Sequence, residues 1–154
     1  MDRPFCPAAV VRAASASLSK RALAVSPVDR LRSEALPKER RLAKRPEFVR
    51  VYESGRKHFS RYTVLFFAAN GLSHSRIGIT ATKKLGKANV RNRLKRWTRE
   101  VYRRQREPLG IDAQALDIVV NIKPSAAAGS YQDYRSDLTQ ALERVVRDSA
   151  RRPA

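Results

Sequence analysis

The segment from Lys83 to Arg106 constrains the fold more than any other part of the chain. Its apolar residues recur at i, i+4, i+7 and i+11, which is one face of a helix. They are Val90, Leu94, Trp97 and Val101. A helix with this stripe must pack the stripe on a core, so its other faces must point outward. We expect it to begin near Asn89, a good N-cap residue, and to end before Pro108.

The outward faces of this helix are almost entirely basic, with Glu100 as the one acid between Lys83 and Arg106. Like charges four residues apart repel, so a helix that is merely solvated usually mixes signs. Arginine predominates over lysine here, and its planar guanidinium group can pair with two phosphate oxygens and stack on bases. The pattern therefore predicts a rigid cationic surface for nucleic acid, and we expect Trp97 to pack in the core rather than stack on a base.

The patterns in the rest of the chain predict a fold of the mixed α/β (α+β) class. Leu36 begins the structured part, and a short helix follows with Pro46 in its first turn and Gly55 at its end. The apolar residues of that helix are Phe48, Val49, Val51 and Tyr52. Strands are predicted at 56–62, 63–69, 76–82 and 117–123, and Ser130 with Asp133 resembles a capping box for a last helix from Tyr131 to about Asp148. Asn70-Gly71 is a hairpin signal between the second and third strands.

The predicted order is therefore αβββαβα, a two-layer sandwich of three helices on a small mixed four-stranded sheet. We divide the chain into a basic N-terminal extension at 1–36, one domain at 37–148 and a disordered tail at 149–154. The extension is rich in Ala, Ser and Arg. That composition suits an organellar transit peptide, a disordered bacterial extension or a start codon assigned too far upstream, and we favour the last two.

The charge balance limits the classes of partner that this chain can bind. Lys plus Arg number 33 against 14 acids, which gives a net charge of +19. Such a surplus indicates an anionic partner, nucleic acid first and an anionic membrane second. No stretch is apolar enough to cross a bilayer. Cys6 is the only cysteine, which fits a reducing compartment, and His58 and His74 are too few for a zinc site.

The ordered motifs resemble the protein component of bacterial ribonuclease P. Arg91-Asn92-Arg93 followed by Lys95-Arg96 is similar to the hallmark of that family. The segments 42–45, 47–55, 76–84, 117–123 and 131–142 also match the family pattern, so the resemblance covers about residues 36–147. It implies a left-handed crossover around the basic helix, where the general rule would favour the right-handed one.

The resemblance also implies two RNA-binding surfaces. The catalytic RNA would dock on Lys84, Arg91, Asn92, Arg93, Lys95, Arg96 and Arg99. The single-stranded 5′ leader of precursor tRNA would lie in a cleft lined by Phe48, Tyr52, Val64, Phe66, Thr80 and Thr82. An aromatic platform beside positive charge is the usual way to hold a single strand. Phe48 and Phe66 could equally be core residues, whereas we expect the Tyr52 hydroxyl to reach solvent.

No catalytic residue and no metal ligand is predicted within the chain. The acids between Lys38 and Glu107 are scattered, and neither a two-metal carboxylate site nor a Ser-His-Asp or Cys-His set can be assembled. The family resemblance instead implies a ribonuclease P subunit whose RNA partner holds Mg²⁺ and cleaves precursor tRNA in the cytoplasm, with no obligate protein partner. The alternatives are a ribosomal or general RNA-binding module and, more weakly, a membrane-surface protein.

Overall fold

The computed structural model describes residues 36–151. Residues 1–35 of the extension predicted at 1–36, with Cys6, and the last three residues of the chain lie outside the described residues. Leu36 itself is buried in the core.

Three helices occur where the sequence patterns predict them. They are α1 (Arg45–Ser54), α2 (Ala88–Gln105) and α3 (Tyr131–Arg151). Gly55 follows α1 as predicted, and α3 continues three residues beyond the expected end at Asp148. The expected N-cap role of Asn89 is wrong, because α2 begins one residue earlier and Lys87 is its N-cap residue. Ser130 does cap α3, since its Oγ accepts a hydrogen bond from the Asp133 amide at 3.1 Å.

Four strands form one mixed sheet. They are β1 (Arg56–Phe59), β2 (Thr63–Ala69), β3 (Arg76–Thr80) and β4 (Leu116–Ile122), in the order β1-β2-β4-β3. The β1–β2 and β2–β4 pairs are antiparallel, and the β3–β4 pair is parallel. The hairpin predicted at Asn70-Gly71 is therefore wrong, because β4 lies between β2 and β3. The strand β4 is buried at six of its seven positions, because it has a neighbour on each side and packing on both faces of the sheet.

The main core lies between one face of the sheet and the helices α2 and α3. Leu94 and Val101 of α2 are fully buried there, and Val90 and Trp97 pack against its edge, as the stripe predicts. The sheet with these two helices forms the two layers that the sequence predicts, whereas α1 packs on the other face of the sheet. The two helices are also joined by a buried hydrogen bond of 2.7 Å between Thr98 Oγ1 and Tyr134 Oη.

A second, smaller cluster lies on the opposite face of the sheet, where α1 packs. Leu42, Val51 and Val119 are its buried residues, with Phe48, Tyr52 and Phe66 packed around them. Val49 is the exception among the apolar residues of α1, since it is exposed on the outer side of the helix. Because α1 is short, it covers only part of this face, and the rest is left as a cleft.

The connection from β3 to β4 runs through α2 and joins two parallel neighbours in the sheet. A parallel pair needs such a crossover. The left-handed sense of this crossover stays a prediction. None of the described helices is long and apolar enough to span a bilayer.

Candidate nucleic-acid interface

The basic side of α2 forms one candidate surface. The α2 ridge, as we call it, consists of Arg91, Asn92, Arg93, Lys95, Arg96 and Arg99. Asn92, Arg93, Arg96 and Arg99 are exposed, and the other two are half-buried. Within residues 36–151, none of the five cations of the ridge forms an ion pair with a carboxylate. Glu100 is engaged elsewhere, by Arg103 at 2.8 Å and Arg104 at 2.5 Å.

Trp97 fixes the position of one ridge residue. Its ring lies 5.4 Å from that of Tyr131 and 6.0 Å from that of Tyr134, so it packs on the edge of the core as predicted. The Arg93 guanidinium lies 5.2 Å from the Trp97 ring centroid, within the range of a cation–π contact. A shallow pocket lined by Asn89, Asn92, Arg93, Arg96 and Trp97 lies at this point of the ridge. Asn89 thus joins the surface, although the sequence suggested only a cap.

Arg91 differs from the outward position that the helical pattern suggested, and Lys84 lies ahead of the helix. Arg91 is half-buried, and its Nε is buried without a hydrogen-bond partner among the described residues. Lys84 is exposed but lies in a 3-10 turn, Lys83–Leu85, ahead of α2. Gly86 ends that turn with a φ of 105°, which favours glycine. The basic surface therefore continues from this turn onto the helix.

The second candidate surface is the cleft beside α1. Tyr52 forms its wall: its hydroxyl donates to Asn121 Oδ1 at 2.8 Å and lies 3.1 Å from Thr80 Oγ1. Its ring meets the Phe66 ring edge to face, with centroids 4.8 Å apart. The hydroxyl thus has two polar partners on the sheet, and the Tyr52 side chain is half-buried at the cleft.

Phe48 and Phe66 serve mainly to pack α1 on the sheet, although both remain half-buried at the cleft. Phe48 lies over Gly78, where an added Cβ would come within 2.6 Å of the ring. Glycine at this position therefore allows α1 to approach the sheet closely. Thr82 is exposed beyond the end of β3, so it lies at the margin of the cleft rather than on the sheet.

The uncovered floor of the cleft is a row of side chains that crosses all four strands. Cα pairing places Phe59 opposite Val64, Val64 opposite Asn121 and Asn121 opposite Thr80. We call these four residues the floor row. Val64 and Thr80 were predicted as cleft residues, whereas Phe59 and Asn121 were missed. The signal for Asn121 was available, since it is a polar residue inside an otherwise apolar run of β4.

A buried charge network holds α1 in place. Asp117 on β4 is fully buried, and it accepts hydrogen bonds from Arg76 at 2.8 and 2.7 Å, from Arg50 at 2.5 Å and from Asn70 at 3.0 Å. Arg76 also contacts Glu47 at 2.8 Å, and Glu47 accepts the Lys44 amide at 3.2 Å, at the start of α1. We call these residues the Asp117 network: Glu47, Arg50, Asn70, Arg76 and Asp117.

The network determines the protonation of its acids. Burial by itself would raise the pKa of Asp117, but the hydrogen bonds from Arg76 and Asn70 and the charge of Arg76 hold that pKa below its usual value. Partial burial opposes the shift in Glu47 as well, yet the Lys44 amide and Arg76 lower the pKa of this carboxyl. Both groups are thus stabilised as carboxylates, which are needed to pair with Arg76 and Arg50.

The far end of the cleft is held by α3. Asp137 accepts hydrogen bonds from Ser60 Oγ at 2.7 Å and from the amides of Arg61 and Tyr62 at 3.0 Å each. These three residues form the turn between β1 and β2. Lys123 Nζ donates to the Ser60 carbonyl of the same turn. The turn is thereby fixed beside Phe59 and Lys123 at the rim of the cleft.

The two histidines lie on different elements of the fold. His58 is half-buried on β1, where burial first and then the charge of Arg144 lower its pKa. His74 lies in the loop before β3, and its carbonyl accepts a hydrogen bond from Asn70. Within residues 36–151, no group of three or more His, Cys, Asp or Glu side chains is placed to hold a metal ion.

Comparison with known proteins gives a consistent result. The Ribonuclease P family model matches residues 36–146. The ribonuclease P protein component of Thermotoga maritima is 40% identical over 88 residues, which are 57% of this chain and 73% of that protein. The component of Desulfovibrio desulfuricans is 38% identical over 122 residues, which are 76% of this chain and 91% of that protein.

Solved structures agree with the sequence matches. The ribonuclease P protein of Thermotoga maritima superposes with a TM-score of 0.61 at 33% identity and covers 68% of this chain and 96% of its own. That of Staphylococcus aureus gives a TM-score of 0.62 at 28% identity, with 69% and 94% covered. The chain therefore belongs to the ribonuclease P protein family and is a subunit of the endoribonuclease that processes the 5′ end of tRNA.

Proposed function

We propose that this chain docks on the RNA subunit of ribonuclease P through the α2 ridge and Lys84, and holds the single-stranded 5′ leader of precursor tRNA in the cleft beside α1. The observation that carries the proposal is the ridge, because its five cations are not paired with any carboxylate of the described chain. Unpaired cations on a rigid helix release counterions from an RNA backbone when they bind it.

The cleft supports the second half of the proposal. It combines half-buried aromatic rings of Tyr52 and Phe66 with the Lys57 ammonium, 5.5 Å from the Phe66 ring centroid. Asn121 and Thr80 add hydrogen-bonding groups on its floor. Stacking rings beside positive charge hold single strands with little regard to sequence. A cleft of this kind would favour precursor over mature tRNA, because only the precursor has a leader.

We propose further that Mg²⁺ ions held by the RNA subunit activate the water that cleaves the phosphodiester. The positions of the carboxylates support this division of labour. Five of the acids with partners among the described residues are paired with arginines or bound to a backbone turn: Glu47, Glu100, Asp112, Asp117 and Asp137. The protein would then act on affinity and substrate preference more than on the chemical step.

The test is cleavage of precursor tRNA by a bacterial ribonuclease P RNA, with and without this protein, at about physiological salt and low Mg²⁺. We expect the protein to restore cleavage at the mature 5′ end. Absence of stimulation, together with tight binding of unrelated RNAs, would favour a general RNA-binding module. Cleavage by the protein without RNA would disprove the proposed role of the RNA. Because the relatives are bacterial, we expect the complex to act in the cytoplasm.

A further inference from the structure

Phe59 is the most exposed large apolar side chain of the described residues, with 66% of its surface accessible. Single exposed apolar residues are common and need no explanation by themselves. The position of Phe59 is what distinguishes it. It lies on the edge strand β1 at one end of the floor row, and Thr80 lies at the other end.

The floor row is long enough for more than one nucleotide. Neighbouring strands lie about 4.8 Å apart, so four strands span about 14 Å from first to last. Stacked bases are separated by about 3.4 Å. The Tyr52 hydroxyl forms hydrogen bonds with two residues of the row, Thr80 and Asn121. From these two residues the row continues through Val64 to Phe59 on the edge strand β1.

The surroundings of Phe59 are positively charged. Lys123 Nζ lies 6.0 Å from the Phe59 ring centroid. Lys57 lies two residues before Phe59 in β1, on the same face of the strand, and its ammonium lies above the Phe66 ring. Asp137, the acid that binds the β1–β2 turn, already accepts hydrogen bonds from two amides and a hydroxyl. The positive charges of Lys123 and Lys57 beside the two rings therefore complement the negative charge of a phosphate backbone.

The site is also preorganised. Asp137 fixes the β1–β2 turn, and the Ser60 carbonyl of that turn accepts a hydrogen bond from Lys123. The ammonium is thus held beside the ring before any ligand arrives, which reduces the entropy lost on binding. An exposed ring with a fixed ammonium beside it fits an unpaired base and its phosphate.

We infer that Phe59, with Lys123 and Lys57, is an additional stacking position for an unpaired nucleotide of the precursor leader, beyond the nucleotides bound beside Tyr52. The inference rests on the proposed leader-binding function of the cleft. It extends the bound segment of the leader across the whole sheet, to the edge strand β1.

The test uses the holoenzyme, made with a bacterial ribonuclease P RNA, and precursors whose leaders are shortened by one nucleotide at a time. Dissociation constants are measured for Phe59→Ala, Phe59→Trp, Tyr52→Ala and the unchanged protein. We expect Phe59→Ala to lose roughly 5- to 150-fold in affinity for long leaders and nothing for the shortest ones. Phe59→Trp should retain the affinity of the unchanged protein.

Leu72→Ala serves as the matched control, since Leu72 is 42% exposed and lies in the loop between β2 and β3, away from the floor row. The inference is wrong if Phe59→Ala equals the unchanged protein at every leader length, or if it weakens long leaders and mature tRNA alike. If Tyr52→Ala reduces the affinity that a leader adds and Phe59→Ala does not, the inference about Phe59 fails, but the proposed function of the cleft stands. If neither substitution affects leader binding, the proposed cleft function fails with it.

Discussion

Arg76 and Asp117 form a bidentate ion pair between neighbouring strands, with Arg76 Nε 2.8 Å from Asp117 Oδ1 and Arg76 Nη2 2.7 Å from Asp117 Oδ2. The two residues are partners in the parallel β3–β4 register. Arg76 reaches past Asp117 to Glu47 at the start of α1, so one guanidinium links the sheet to the helix that forms the cleft wall.

Asp117→Asn should lower the free energy of unfolding by about 3 kcal/mol, because it removes the buried carboxylate that pairs with Arg76 and leaves Glu47 as the remaining partner of that guanidinium. Arg76 is 15% exposed, so we expect the lower end of the usual range for broken buried pairs. Urea denaturation followed by circular dichroism measures the change. Glu53→Gln, an exposed position on α1, is the control and should change the stability little. Equal stability of Asp117→Asn and the unchanged protein would contradict the importance of the pair.

The same network predicts the acid limit of stability. The pKa values of Asp117 and Glu47 are lower in the folded chain than their ordinary values. Their stabilising contribution is therefore complete above the ordinary carboxyl pKa and is lost as pH falls through the folded values. We expect the unfolding free energy to decrease from pH 5 to pH 2, and to decrease less steeply in Asp117→Asn. Parallel pH profiles would show that Asp117 does not contribute.

Tyr52 should matter for substrate preference through its ring more than through its hydroxyl. Tyr52→Ala should reduce the preference for precursor over mature tRNA by about 1–3 kcal/mol, if a base stacks there. Tyr52→Phe keeps the ring against Phe66 and should retain most of the preference, while costing about 1 kcal/mol of stability. Holoenzyme binding to both tRNA forms measures this. Equal weakening of both forms by Tyr52→Ala would disprove the cleft assignment.

Arg93→Ala should weaken binding to the RNA subunit and lower the salt dependence of the binding constant by about one unit on the log–log plot. The reason is the loss of one phosphate contact from the α2 ridge. Arg135→Ala is the matched control, because Arg135 is an exposed arginine on α3 outside the ridge. Filter binding across a salt series measures both variants. An identical loss in both would indicate a general effect of net charge.

The Thr98–Tyr134 hydrogen bond should stabilise the helical layer without affecting RNA binding. Thr98→Val leaves the buried Tyr134 hydroxyl without its partner and should cost about 1–3 kcal/mol. In the double variant Thr98→Val/Tyr134→Phe, the combined loss should be smaller than the sum of the single losses. Thermal unfolding tests this, and strict additivity would mean that the two hydroxyls do not interact.

The sequence alone predicted the positions of the three helices and four strands, because their apolar periods and turn residues are local signals. The apolar stripe of α2 was sufficient to orient most of the ridge, since a helix that buries Leu94 and Val101 turns Arg93, Arg96 and Arg99 outward, although Arg91 is half-buried. The family resemblance added the two candidate RNA surfaces, including Val64 and Thr80 of the floor row.

Only the tertiary structure decided what depends on strand order and side-chain contacts distant in sequence. The placement of β4 between β2 and β3 replaced the predicted hairpin, and it brought Asn121 next to Val64 and Thr80. It also placed Asp117 beside Arg76, a pair separated by 41 positions. The floor row, with Phe59 at its end, exists because sheet pairing aligns residues across strands. Local periodicity assigns a residue to one face of its strand, but it does not specify which residue of another strand lies beside it.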